Sequence, residues 1–384
     1  MIEYCFLHPL DVLYLRGNRL FDGAGDHAEA LMPPWPSLAA GALRSRMLVD
    51  HDIPLGLFGN GKTKSEGALG ACLGTPSDPG DFRLAAFYVA CLKGEEVTPY
   101  FPLPSDVVAL SRETLAYLRP AVLHPALRAS SPLPACPALA TAKPAKPVGG
   151  LWLNLTGLAA YLKGAPLNAK EHCVEKTTLW KYDARLGIAL EPASRAAAEG
   201  KIYTTETVAM SENHGFLVGV QGAAGLLPKS GLVRLGGDGR GAEILPCNFS
   251  PPVPDWGKIA QEKRFRLLLT TPGIFPGGWQ PSGLNNENGV LVWRTETFSA
   301  VLKSACVNRG EIVSGWDLAR RCPKDAQRTA PTGSVYYFDE FQGTIDALKR
   351  LPEEGLWPPA ESTDKSRKAE GFNNVMIAAW PLND

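Results

Sequence analysis

What is scarce in this sequence narrows it first. Eight cysteines (Cys5, Cys72, Cys91, Cys136, Cys173, Cys247, Cys306 and Cys322) contain no CxxC pair, which argues against a zinc ribbon or a thioredoxin-like redox site. Buried free thiols are the expected state, since an unpaired cysteine packs as a small hydrophobe. His172 beside Cys173 is the only adjacent pair of soft ligands, and neighbouring residues seldom face one metal. No structural metal and no cofactor is expected. Net charge is missing too, because 39 Lys and Arg offset 39 Asp and Glu. No global field therefore draws the chain toward nucleic acid or anionic lipid, and any phosphate recognition must be local. No segment approaches the roughly 20 apolar residues that span a bilayer. The opening MIEYCFLHPLDVLYLRGNRLF mixes acids and bases with its apolar residues, unlike a signal peptide. These absences predict a cytoplasmic protein without a membrane partner.

Catalytic patterns are also few. There is no G-x-S-x-G elbow and no HExxH. His27, in GDHAEAL, is the most suggestive lone base. A metal-independent endoribonuclease processing repeat RNA would use such a histidine as general base, with Lys or Arg stabilising the phosphorane. That is the alternative to a non-enzymatic role.

What is present is a folded composition, 45% apolar and 20% charged over 384 residues, long enough for two cores. Apolar runs bounded by breakers predict strands at IEYCFLH, RLAAFYVACL, FLVGVQG, FRLLLTT, FSAVLKSACV, SVYYFD and VMIAAW. Helices are predicted over SLAAGALRSRMLVD, with Ser37 as N-cap, and over GTIDALKRL. Strands outnumber helices without regular alternation, which predicts an α+β fold. The Pro- and Ala-rich stretch 118–150 reads as an insertion or covering loop. The cluster PCNFSPPVPDW from Pro246 reads as a hinge between domains 1–250 and 251–384.

Gly56 to Thr63, GLFGNGKT, satisfies the phosphate-loop pattern at every position. Its context does not fit. Such a loop needs a buried strand before it and a helix whose N-terminus faces the phosphates after it. Here DHDIP precedes it and SEGALGACLG, with glycines inside the would-be helix, follows. Lys62 and Lys64 are expected to be solvated.

Three other places gather bases or glycines. LRGNRLF and ALRSR carry Arg16, Arg19, Arg44 and Arg46. Arg44 and Arg46 are two apart, so they do not share one helical stripe. One can point inward toward an anion while the other faces water. VRLGGDGRGAEI places Gly236, Gly237, Gly239 and Gly241 around Asp238 and Arg240, which suits a tight hairpin or an anion nest of backbone N–H groups. TTPGIFPGGWQP and EIVSGWDLARRCPKDA combine Phe275, Trp279 and Trp316 with Arg320, Arg321 and Lys324, the mixture of rings and cations that unpaired nucleic acid needs.

Taken in order, LDVLYLRGNRLF, ALMPPWPSLAAGALRSR, EGKIYTTETV, LPKSGLVRLGGDGRGA, LTTPGIFPGGWQP, IVSGWDLARRCPKDAQRTAPTGSVYYF and EGFNNVMIAAWP resemble the third subunit of Cmr-type (type III-B) CRISPR effector complexes, in the RAMP superfamily. The resemblance implies two ferredoxin-like (RRM-like) modules with long loop insertions and no catalysis of their own. It implies three partners: the five-prime repeat-derived handle of the guide RNA, the large polymerase/cyclase-like subunit, and a backbone RAMP subunit. By position it carries Arg16, Arg19, Arg44, Arg46 and the Gly236–Gly241 turn with Arg240 over as handle contacts. Lys176, Lys181 and Arg185 follow from the less well matched AKEHCVEKTTLWKYDARLGIALEP. A strand held by about six cations has an expected log-affinity salt slope near −4, at roughly −0.7 per phosphate.

Overall fold

The computed structural model describes residues 1–17, 27–28, 30–124, 126, 131–141, 146–191, 193–317 and 319–382. It is a mixed α/β protein built on antiparallel sheets. The chain forms two compact units and passes between them repeatedly: Met1–Val97, Thr177–Asn248 and Ile312–Ala326 make the first, and Thr98–Lys176, Phe249–Glu311 and Gln327–Asp384 the second. The passage from Asn248 to Phe249 falls inside the proline cluster.

In the first unit five antiparallel strands lie in the order Arg83–Lys93, His214–Gln221, Ile2–Pro9, Gly241–Pro246, Gly231–Arg234. Their apolar residues are the reason for the sheet: Phe6, Leu7, Leu84, Phe216, Leu217, Val218 and Ile244 are all buried. Helix Ser37–Asp50 buries Ala39, Ala40, Leu43 and Met47, an i, i+3, i+4 stripe, and touches both the Arg83–Lys93 and Gly231–Arg234 strands. Its N-cap is Pro36, with no side-chain cap bond, and Ser37 is already helical. The expected serine cap is thus replaced by a proline, whose fixed φ suits a helix start.

Two further findings correct the sequence reading. Gly67–Leu73 is helical despite its glycines, because burial of Leu69, Cys72 and Leu73 outweighs their poor propensity. Trp180–Leu190 and Ala197–Met210 form a long antiparallel ribbon that was read only as a basic segment. The ribbon carries a third short strand, His27–Ala28, parallel to it at Thr204 and Thr205.

The second unit holds a six-stranded sheet ordered Leu284–Glu287, Val290–Arg294, Phe298–Cys306, Val335–Gly343, Phe265–Leu269, Val375–Ala378. Phe298–Cys306 alternates buried and half-buried residues along its whole length, the period-two signature of a one-faced strand. Phe265 and Phe338 stack with ring centroids 5.0 Å apart. Helix Ile345–Glu354, whose first turn is capped by Thr344 accepting from the Ala347 amide, adds Ala347, Leu348 and Leu351 to this core. Three short strands, Cys173–Glu175, Leu151–Leu153 and Glu96–Pro102, pair in that order. Within 118–150, Arg119–Ala121 pairs with Cys136–Ala138, and the remainder has little regular structure among the described residues.

Beneath the second unit's sheet an ion pair is fully enclosed. The Arg266 and Asp106 side chains are both 0% exposed and their charged atoms are 2.7 Å apart. Tyr161 and Tyr337 each donate a hydroxyl hydrogen bond to Asp106 at 2.9 and 2.8 Å. Arg266 spends its remaining donors on the carbonyls of Ala379 and Tyr161, both at 2.9 Å. Burial drives both tyrosine pKa values well above the usual phenol range, so they remain donors at any physiological pH.

Candidate functional site

The Gly56–Thr63 stretch resolves first. Leu55–Gly59 is a helix that follows Pro54, so no strand delivers the chain to a phosphate cradle. The amides that would form the cradle are committed: those of Asn60, Gly61, Lys62 and Thr63 donate to Gly56, Phe58, Leu57 and Leu57 carbonyls at 3.3, 2.9, 2.9 and 3.3 Å. A helical turn has taken the hydrogen bonds that phosphates would need.

The other singled-out stretches do meet, at Tyr14. The Gly231–Arg234 and Gly241–Pro246 strands form a hairpin whose turn is the glycine run. Gly236 has φ 86° and sits so close to the Leu10–Arg16 segment that a β-carbon would lie 2.8 Å from the Tyr14 carbonyl. That carbonyl accepts from the Gly237 amide at 2.8 Å. Asp238 and Gly239 also have positive φ, 58° and 66°. The glycines thus serve a close backbone approach. Gly236→Ala is expected to destabilise the protein by about 1–3 kcal/mol, measured by urea unfolding. Gly239→Ala, where nothing lies within 4 Å of an added β-carbon, should cost less.

Arg240 lies over the Tyr14 ring, and Arg185 on the ribbon is in its electrostatic reach. The Arg240 guanidinium carbon lies 5.3 Å from the ring centroid, a cation–π distance, and the group pairs with Asp11. Its Nε is buried with no hydrogen-bond partner among the described residues. Arg185 donates to Asp183 at 2.9 Å. The Asp183 hydrogen bond, followed by its charge, raises the Arg185 pKa further above the ordinary range. Lys181, Asp183 and Arg185 alternate along one face of the strand. The opposite face exposes Tyr182, Leu186, Ile188 and Leu190.

The remaining predicted residues are distributed as follows. Arg16 is exposed and its backbone bridges to Ala30. Arg46 pairs with Asp50 at 2.6 Å and donates to the Leu232 carbonyl at 3.1 Å, on the same glycine hairpin. Arg44 turns inward, as one of the pair was expected to, but toward a carbonyl: it donates to Leu73 at 2.9 Å and lies 5.5 Å over the Phe82 ring. Lys181 is exposed on the ribbon, whereas exposed Lys176 belongs to the second unit. Arg19 and the His27 side chain lie outside the described residues. Of the aromatics, Phe275 is buried in the second core and Trp279 packs against it, while Trp316 is 56% exposed.

Sequence reading missed Tyr14 and the ribbon. The ribbon had a signal, since Tyr182, Ala184, Leu186, Ile188 and Leu190 are apolar at every second position. Tyr14 had none.

Among the described residues no group of three or more His, Cys, Asp or Glu side chains is placed to hold a metal, and no helix is long and apolar enough to cross a membrane. Burial raises the Cys72, Cys173 and Cys247 thiols to about 11, which keeps them protonated and unreactive.

The model of the CRISPR-associated protein family Cas_Cmr3 matches residues 5–380. The chain belongs to the Cas_Cmr3 family. This is the third-subunit family of Cmr-type complexes that the ordered motifs resemble. A chain of the type III-B Cmr-beta complex bound to cognate target RNA and AMPPnP, solved by cryo-EM, is similar with a TM-score of 0.51 at 12% identity, over 97% of this chain and 96% of that one. A second, from the Cmr-beta complex bound to cognate target RNA, gives 0.50 at 14% identity over the same shares. At such identities the likeness concerns the fold alone. Comparison with curated proteins gives no match.

Proposed function

We propose that this Cas_Cmr3 chain is a non-catalytic, RNA-binding subunit of a type III-B CRISPR effector complex. In this reading it grips the five-prime repeat-derived handle of the guide RNA and docks on the large polymerase/cyclase-like subunit and a backbone RAMP subunit. The observation that carries it is the convergence of the Leu10–Arg16 segment, the glycine hairpin and the ribbon at Tyr14, with Arg240 over its ring and Arg185 in its electrostatic reach. An unpaired base stacks on an aromatic or guanidinium plane, and guanidinium forks bind phosphate. Arg16, Arg46 and Lys181 extend the cationic surface around it, with Arg19, Arg44 and Lys176 as further contacts of the same proposal.

Strand order supports the reading of two ferredoxin-like modules. Numbering four strands of the first unit in chain order (Ile2–Pro9, Arg83–Lys93, His214–Gln221, Gly241–Pro246), the sheet runs 2-3-1-4. Phe265–Leu269, Phe298–Cys306, Val335–Gly343 and Val375–Ala378 repeat that order in the second unit. One module keeps its first crossover helix, Ser37–Asp50, and the other its second, Ile345–Glu354.

The test is purification from native cells followed by sequencing of bound RNA. The expected result is co-purification of repeat-derived RNA sharing one five-prime segment, together with a large polymerase/cyclase-like protein. Recovery of the chain free of RNA and partners would overturn the proposal.

A further inference from the structure

The stretch around Trp316 is left unexplained by the Tyr14 site. It begins a tight hairpin in which Trp316 and Asp317 pair with Pro323 and Cys322. The Asp317 carboxylate accepts from the Ala319 and Arg320 amides, both at 2.9 Å, fixing the tip. Below it the Lys324 amide donates to the Gly315 carbonyl at 2.9 Å, and the Ser314 hydroxyl donates to the Lys324 carbonyl at 2.7 Å. Arg321 holds φ 54°, where glycine would be the easier choice. This is a built turn that presents arginine at its tip, and its indole is more than half exposed although an exposed tryptophan gains nothing by burial.

The same hairpin rests on the helix that opens the false phosphate loop. Gly59 lies so close to Ala319 that an added β-carbon would be 3.3 Å from its Cα. The next residues on one side are Asn60 to Lys64, with Lys62 and Lys64 exposed, and on the other Arg320 and Arg321, also exposed. Five cations (Lys62, Lys64, Arg320, Arg321 and Lys324) therefore gather against Glu66, Asp317 and Asp325 in a chain of zero net charge. The Arg320 guanidinium is 3.9 Å from Asp317 and 73% exposed, so that pairing is screened and readily exchanged.

We infer that Trp316, Arg320 and Arg321 on the hairpin and Lys62 and Lys64 on the adjoining loop form a second binding surface for unpaired RNA, separate from the Tyr14 site. One base stacks on the Trp316 indole while the flanking phosphates lie on the arginine and lysine heads. Stacking tolerates any base and phosphate contacts carry no sequence information. The surface therefore takes a strand of variable sequence. It rests on the RNA-binding reading above but not on the Tyr14 residues.

The test uses the assembled complex already loaded with guide RNA, adding labelled oligouridine and reading anisotropy across a salt series. Arg320→Glu with Arg321→Glu is expected to weaken binding at least about tenfold and to flatten the log-affinity salt slope by about 1.4, for two phosphates lost. Trp316→Ala should weaken it about fivefold to a hundredfold with the slope unchanged, and Trp316→Phe should restore most of the loss. A merely structural hairpin would not separate charge from stacking in this way. Guide retention, read on denaturing gels of the same preparations, reports separately on the Tyr14 proposal. Unchanged oligouridine affinity and slope in both the double reversal and Trp316→Ala would overturn the inference. So would hydrogen-exchange protection of the hairpin by a protein neighbour in the complex before oligouridine is added.

Discussion

Asp106→Ala is expected to destabilise the second unit by about 3–5 kcal/mol, the cost of leaving one member of a buried pair without its counter-charge. The Arg266 guanidinium is completely enclosed. Without Asp106 it retains only the Ala379 and Tyr161 carbonyls and the faces of Tyr117, Tyr161 and Tyr337, 5.2, 4.2 and 5.9 Å from its carbon. The Tyr161 hydroxyl loses its carboxylate acceptor as well, while Tyr337 keeps the Leu118 carbonyl at 2.7 Å. Asp106→Asn preserves acceptor geometry but not charge, so it should fall between wild type and Asp106→Ala. Replacing both partners by apolar residues, Asp106→Leu with Arg266→Met, should recover much of the loss, because the desolvation of both charges disappears with them. Urea unfolding of the four proteins measures this. A loss under about 1 kcal/mol for Asp106→Ala would mean that water or a relaxed side chain reaches the site.

Reversing both arginines at Tyr14, Arg185→Glu with Arg240→Glu, is the change with the largest expected effect on RNA. Each charge-assisted contact is worth about 1.5–3 kcal/mol, so each single reversal should weaken handle binding by about tenfold to a hundredfold. The salt slope should fall by about 0.7 per arginine. The double variant should leave the complex without stable guide RNA. Tyr14→Phe keeps the ring under Arg240 and removes only the hydroxyl, so a small loss is expected. Tyr14→Ala removes both and should approach the double reversal. Guide RNA retained at wild-type levels in the double variant would take these residues out of the handle site.

Much of the architecture was legible because burial imposes a period. All seven predicted strands form, since Phe6, Leu84, Phe216, Leu267, Leu302, Tyr336 and Ile377 each face a core. Helix Ser37–Asp50 forms where expected, beginning one residue earlier than a Ser37 cap implies. The ribbon's alternation was present in the sequence, but it belongs to no core, since its apolar face is exposed, Leu186 at 71%. The Gly67–Leu73 helix escaped because propensity was weighed without the packing that overrides it. Among candidate site residues, charge and glycine content pointed to Arg240 and the hairpin, while Arg185 followed only from the resemblance. They said nothing of Tyr14, whose role depends on what surrounds it.

By itself the sequence determined the mixed helix-and-strand class and the places where cations and glycines gather, because composition and short-range periodicity are properties of neighbouring residues, while its ordered motifs carried the resemblance to the Cmr-type third subunit. Only the tertiary structure decided that Arg240 lies over Tyr14, that Arg44 and Arg46 donate to the Leu73 and Leu232 carbonyls, and that the phosphate-loop pattern is a helical turn. Asp106 and Arg266 stand 160 residues apart, and their pairing is settled by desolvation and by the carbonyls and hydroxyls the fold brings to them. No local pattern carries that information.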